Sequence, residues 1–111
     1  MGTDDYLAEF EHLVLLALVR MGRAGYGMTV RRELQKTSGR EIAIGSVYAT
    51  LDRLERKGYV SSSRSDPDPV RGGRSRRHFQ VEQRGLTALA QTRSLLDRMW
   101  DGVSIDPDSA R

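Results

Sequence analysis

The chain is expected to be mainly α, with four helices and one small β-hairpin lying between the third helix and the fourth. Three observations predict this. Apolar residues recur at three- and four-residue steps in four separate stretches, the period of a helix with one buried face. Glycines 22, 39 and 58 stand where the first three of those stretches end, the usual place for a helix to stop. Only in "YVSSSRS" (59–65) and "RRHFQV" (76–81) does the pattern turn strand-like.

The first helix is expected over residues 4–21. Thr3 offers an N-cap, Asp4 and Asp5 suit the positive helix end, and Gly22 closes it. Leu7, Phe10, Val14, Ala17, Leu18 and Met21 form its stripe, widened by Leu13, Leu15 and Leu16. The run "LVLLALV" within it is too short to cross a bilayer and follows acids rather than a basic leader. "GRAGYG" reads as a cap and tight turn, because its glycine spacing fits no phosphate loop and no strand precedes it. A second helix follows over 26–38, with Tyr26, Val30 and Leu34 on one side and Arg31, Arg32 and Lys36 on the other. "EIAI" (41–44) adds a short extended piece.

The third helix spans 45–57. Val47, Leu51 and Leu54 point inward, and Ser46, Ala49, Thr50, Arg53 and Lys57 make the opposite stripe. Between the two strand-like segments, "DPDPVRGGRS" is a loop, since its prolines and glycines cannot continue a ladder. Phe79 and Val81 alternate on one face and anchor the return strand. The fourth helix runs over 83–101. Leu86, Leu89, Arg93, Leu96, Trp100 and Val103 give it a seam of period 3.5, too short for a lone coiled coil, so it must pack on something larger. Residues 102–111 read as a frayed tail.

At 111 residues the chain holds one small core, and without cysteine it has no disulfide, zinc finger or thiol nucleophile. That composition suits the cytoplasm. Charge is unevenly spread: residues 1–12 carry four acids and no base, whereas residues 20–93 carry sixteen bases and seven acids. A basic centre between acidic ends faces a polyanion well. His12 lies among acids without enough converging ligands for a metal, His78 lies beside cation-repelling arginines, and Ser61, Ser62 and Ser63 lack a histidine partner. Neither an enzyme, a metal site nor a cofactor is expected.

Three helices followed by a hairpin is the order of a winged helix-turn-helix, here filling residues 1–82 with the wing at about 59–81. The small and hydroxylic start of the third helix would let it enter a major groove about 12 Å wide, with Ser46, Ala49, Thr50 and Arg53 at base edges or phosphates. Arg71, Arg74, Arg76 and Arg77 on the wing would meet phosphates or a narrow minor groove. Arg31, Arg32 and Lys57 are further phosphate candidates.

With "LVLLALV", "GYGM", "GSVYATLDRLERKGYV" and "RSRRHFQV" followed by Gly85, residues 10–90 resemble the PadR family of transcriptional regulators, in its short form. The resemblance implies a dimeric repressor of a palindromic DNA operator, often relieved by a small molecule. It makes the fourth helix (83–101) the dimerisation element crossing the partner's first helix, which places Leu7, Phe10, Val14, Leu89, Leu96, Met99, Trp100 and Val103 at the dimer interface. It also makes Tyr26 and Tyr48 packing signatures. Some short members stack flat aromatic ligands on a tryptophan of that helix. Leu96 aligns there and Trp100 follows one turn later, as a ligand platform or a dimer-core aromatic. The chain departs from the family pattern at Ile44, Ala49, His78, Phe79 and Glu82, the last replacing a threonine N-cap. Two rival readings come from the residues alone: a winged-helix module that binds an acidic protein, and an RNA-binding protein using "RGGRSRR" as an arm.

Overall fold

The computed structural model describes residues 6–64 and 76–108. The order is α1 (Glu9–Arg20), β1 (Ala24–Tyr26), α2 (Gly27–Ser38), α3 (Ile44–Arg56), β2 (Val60–Arg64), β3 (Arg77–Val81) and α4 (Gln83–Trp100). The expected mainly α winged helix-turn-helix is therefore present, with one strand more than the hairpin alone. The loop expected at 66–75, and with it Arg71 and Arg74, lies outside the described residues, as do Thr3 and the two aspartates after it.

α1 begins later than its stripe suggested. Ala8 is the N-cap, and its N–H donates to Glu11 Oε1 at 3.0 Å, so the carboxylate three residues on closes the first turn. Leu7 lies outside the helix, and its N–H donates to Thr92 Oγ1 of α4 at 3.0 Å. At the other end Gly22 and Arg23 both take the left-handed conformation (φ 86° and 76°), and the Arg23 N–H returns to the Leu18 carbonyl at 2.7 Å. This double left-handed step turns the chain directly into β1.

β1 corrects the reading of "GRAGYG" as turn alone. It pairs antiparallel with β3 (Ala24 opposite Gln80, Tyr26 opposite His78), and β3 pairs antiparallel with β2 (Val60 opposite Val81, Arg64 opposite Arg77). The sheet order β1-β3-β2 places the return strand of the hairpin in the centre. Phe79, as expected, is fully buried there and Val81 nearly so. Two glycines are required by close approach. A Cβ on Gly27 would overlap the Tyr48 ring, and one on Gly85 would overlap the Tyr59 carbonyl, so α2 and α4 can start where they do only without side chains.

The core joins α1 (Val14, Leu15, Leu18), α2 (Val30, Leu34), α3 (Val47, Leu51, Leu54) and the sheet (Tyr59, Val60, Phe79). "EIAI" is not a strand: residues 39–43 are irregular and Ile44 already belongs to α3. The segment is fixed instead by Ile42, whose carbonyl accepts from Arg31 Nε at 2.6 Å and whose N–H donates to Gln35 Oε1 at 3.2 Å. Glu82 precedes α4 without capping it through its side chain; its carboxylate accepts from the Ser61 hydroxyl at 2.6 Å. α4 packs on the core through Gly85, Ala88, Leu89 and Thr92. Past Thr92, Leu95 is half-buried and every other described residue is exposed. Among the described residues no helix is long and apolar enough to cross a membrane.

Candidate nucleic-acid interface

α3 lies across α1 and α2 with its first turns facing outward. Gly45, Ser46 and Ala49 are exposed, as is Arg56 two turns on, and Asp52 is half-exposed. The outward stripe is thus turned by about one residue from the one drawn on the sequence. Thr50, expected on it, is buried beside Leu51, and its hydroxyl accepts from Arg53 Nη2 at 3.4 Å. It holds an arginine rather than a base.

Two bases of the expected stripe, Arg53 and Lys57, are engaged by Glu11. This α1 residue is 2% exposed, and its Oε2 accepts from Arg53 Nε and from Lys57 Nζ, each at 2.9 Å. Burial pushes its carboxyl upward, but the hydrogen bonds from Lys57, the Ala8 amide and Arg53 outweigh it, and the pKa lies below the ordinary 4.5. Arg53 and Lys57 therefore lean toward α1 instead of standing straight out. Their side chains are still 43% and 34% exposed, so both keep an accessible edge.

The wing is tied to α3 by a second ionic contact. Arg77, expected as a DNA contact, donates from Nη1 to Asp52 Oδ1 and from Nη2 to Glu55 Oε1, each at 2.7 Å, and lies 4.7 Å over the Phe79 ring. Ser62 of β2 donates to the other Glu55 oxygen at 2.7 Å. Arg77 is thus a clamp between sheet and helix, committed to two carboxylates. The sequence signal was present in the acids at positions 52 and 55, spaced three apart on one helix face, but nothing local pairs them with a strand 25 residues away.

The remaining arginines divide by position. Arg76 is exposed at the start of β3, its guanidinium 4.9 Å from the Tyr26 ring. With Arg64, Tyr26, Met28 and Tyr48 it borders a groove of about 390 Å³ at the base of the wing. Arg31 is used internally, on the Ile42 carbonyl, whereas Arg32 is exposed. Arg40 and Arg56, not singled out on the sequence, are also exposed, and Arg40 pairs with Glu9 at 3.2 Å. Tyr26 and Tyr48 do pack as signatures: Tyr26 meets His78 edge-on at 5.1 Å, and Tyr48 tilts against Phe79 at 6.4 Å.

The residues assigned to a dimer interface fall into two groups. Leu7 and Val14 are buried in the chain's own core, and Phe10 is half-buried against it. Leu7 and Val14 are thus taken up by the chain's own core rather than standing free as the resemblance implied. Leu96, Met99, Trp100 and Val103 are exposed, Met99 by 70% and Trp100 by 53%. Between α1 and α4 runs a groove of about 700 Å³ that includes His12, Leu16, Val19, Leu89, Leu96 and Trp100. Leu89 forms its floor. Leu16 and Val19 line it from α1. Among the described residues there is no group of three or more His, Cys, Asp or Glu able to hold a metal ion.

A helix with a small, outward first half, backed by two helices and flanked by a three-stranded sheet, is the winged-helix fold of DNA-binding proteins. Residues 15–91 match the family described as transcriptional regulator PadR-like, and the chain belongs to that family. Among solved structures, a complex of RosR from H. salinarum is similar at 25% identity and a TM-score of 0.69, covering 87% of this chain and 79% of that one. A PadR family transcriptional regulator from Eggerthella lenta is 22% identical with a TM-score of 0.67, covering 85% and 81%. A winged-helix DNA-binding protein from STIV is 15% identical with a TM-score of 0.69, covering 89% and 99%. At these last two identities the likeness concerns the fold alone. No curated protein matches the chain.

Proposed function

We propose that this PadR-like regulator binds a palindromic DNA operator as a cytoplasmic homodimer and represses transcription from it. The observation that carries the DNA reading is the exposed start of α3, where Gly45, Ser46 and Ala49 leave room for a groove wall. Arg53 and Arg56 follow on the side that would meet base edges and phosphates. Lys57, half-committed to Glu11, and Arg32 on α2 take second-rank phosphate roles. The wing approaches the backbone or minor groove through Arg76, with Arg71 and Arg74, outside the described residues, as further contacts, while Arg77 holds the sheet to α3.

For the dimer, the support is the apolar surface of α4. Among the described residues, Leu96, Met99 and Trp100 of α4 and Val103 just beyond it are large apolar side chains about half or more exposed, a concentration that soluble surfaces rarely carry without a partner. A second copy's α4, laid against the groove between α1 and α4, would cover it. Residues 1–82 then form the DNA-binding unit and residues 83–101 the dimerisation helix. A small hydrophobic or aromatic effector would enter the same groove beside Leu96 and Trp100. Nothing in this reading requires catalysis or a cofactor.

The test is a gel shift on the gene's own upstream region against a shuffled duplex and a single-stranded RNA of equal length. Sequence-selective duplex binding that falls steeply with salt is the expected result. Equal binding to both duplexes, preference for RNA, or binding only to an acidic protein would refute it.

A further inference from the structure

Glu11 is an unusual residue for the core, one of only three buried polar or charged side chains among the described residues. An isolated buried carboxylate costs several kcal/mol, and an apolar residue of similar volume often stabilises a core as well or better. Here the carboxylate lies on an otherwise apolar helix face among Val14, Leu15 and Leu18. The cations that compensate it are Arg53 of α3, the helix offered to DNA, and Lys57 at that helix's C-cap. A residue selected for packing alone would have no reason to choose those partners.

The geometry is that of a fixed bracket. Oε1 is held by the Ala8 N–H, and Oε2 is shared between Arg53 Nε and Lys57 Nζ. Lys57 occupies a second direction on Oε2, and Ala8 ties the opposite oxygen, so the carboxylate cannot follow Arg53 outward. Arg53 in turn has its Nε committed and its Nη2 near Thr50 Oγ1, which leaves the outer edge of the guanidinium, at Nη1, with no hydrogen-bond partner among the described residues. An arginine reads a guanine through two parallel N–H bonds, and it discriminates only if that fork is held in one plane. An unanchored arginine of the same charge would settle on phosphates instead.

We propose that Glu11 is a positioning residue for DNA recognition, orienting Arg53 toward a base edge through a carboxylate that Lys57 and the Ala8 amide hold in place. This rests on the DNA-binding reading above. Its content is that affinity and discrimination are separable at this position. Removing the negative charge should leave non-specific binding intact or stronger, since the helix gains net positive charge, while sequence preference falls.

Glu11→Gln tests this, with discrimination measured as the ratio of dissociation constants for a shuffled duplex and the upstream-region duplex at fixed salt. The expected result is a fall of about 5- to 30-fold in that ratio, the order carried by one bidentate arginine, with shuffled-duplex affinity unchanged or raised. In an Arg53→Ala background, Glu11→Gln should lower the ratio no further, because Glu11 acts through Arg53. An unchanged ratio in the single variant, or a further fall in the double variant, overturns the proposal. If the variant does not fold, the unaltered protein answers by the NMR signal of its Arg53 Nε–H. Protection from exchange should persist when operator binds, and loss of protection would mean that Arg53 leaves Glu11 for phosphate. Should the unaltered protein show no sequence preference at all, the DNA reading fails first, a result distinct from failure of the Glu11 role.

Discussion

Replacing Arg77 with methionine removes the clamp between wing and recognition helix while keeping an apolar side chain over Phe79. Two charge-assisted bonds of 2.7 Å are lost, to Asp52 and Glu55. Bonds to charged groups contribute about 1.5–3 kcal/mol each when buried. Exposed pairs contribute only about 0.2–1 kcal/mol. With Arg77 a quarter exposed and both carboxylates more so, about 1–2 kcal/mol in total is a fair expectation. The cation over Phe79 adds about 0.5–1 kcal/mol, part of which the methionine recovers by packing. The sum is about 1.5–2.5 kcal/mol, which at a urea slope of about 1–3 kcal/mol/M lowers the unfolding midpoint by roughly 1 M. The titration is run at fixed protein concentration, because a dimer's midpoint moves with concentration. DNA affinity should drop about tenfold as well if α3 enters the groove as proposed, since Asp52 and Glu55 on that helix are left uncompensated and repel phosphate. A midpoint shift under about 0.2 M together with unchanged affinity would refute the clamp.

Thr92→Val removes the acceptor for the buried Leu7 N–H at nearly constant volume, and should cost about 1–3 kcal/mol in urea unfolding; a neutral result would show that the N–H finds another partner. Leu96→Asp should yield monomers in sedimentation velocity without loss of helicity, because Leu96 is exposed in the single chain; an intact dimer would take α4 out of the interface. Acid should destabilise the protein through Glu11. Its folded pKa is lowered, so its contribution is fully present above the ordinary value of 4.5 and is lost as pH falls from there through the folded value. Urea midpoints measured from pH 7 downward should therefore fall less steeply in Glu11→Gln, and parallel curves would contradict this.

Most of the scaffold was legible because its signals are local. Gly39 and Gly58, with φ of 74° and 81°, stop α2 and α3 where the glycines predicted, and the alternation of Phe79 and Val81 placed β3 against the core. β1 was not legible. Three residues are too few for a period, and its existence depends on pairing with a strand more than fifty residues later. The α3 stripe was misplaced at Thr50 because a helical wheel assigns faces by average hydropathy. A single buried acid on another helix, Glu11, was enough to turn Arg53 and Lys57 toward it. The interface set failed at Leu7 and Val14 for a related reason. "LVLLALV" makes α1 apolar on several sides, and no periodicity can divide such a surface between its own core and a partner's. Arg77 shows the limit on the other side: its charge was assigned to a DNA-facing surface, whereas its partners Asp52 and Glu55 lie on a helix distant in sequence.

The most direct measurement is fluorescence anisotropy of the upstream-region duplex titrated with the protein across a range of salt, beside the shuffled duplex. A DNA-binding winged helix with an ordered recognition arginine predicts tighter binding to the upstream duplex at every salt concentration, with log affinity falling linearly as log salt rises for both. Identical affinities for the two duplexes, or binding that does not respond to salt, would contradict it.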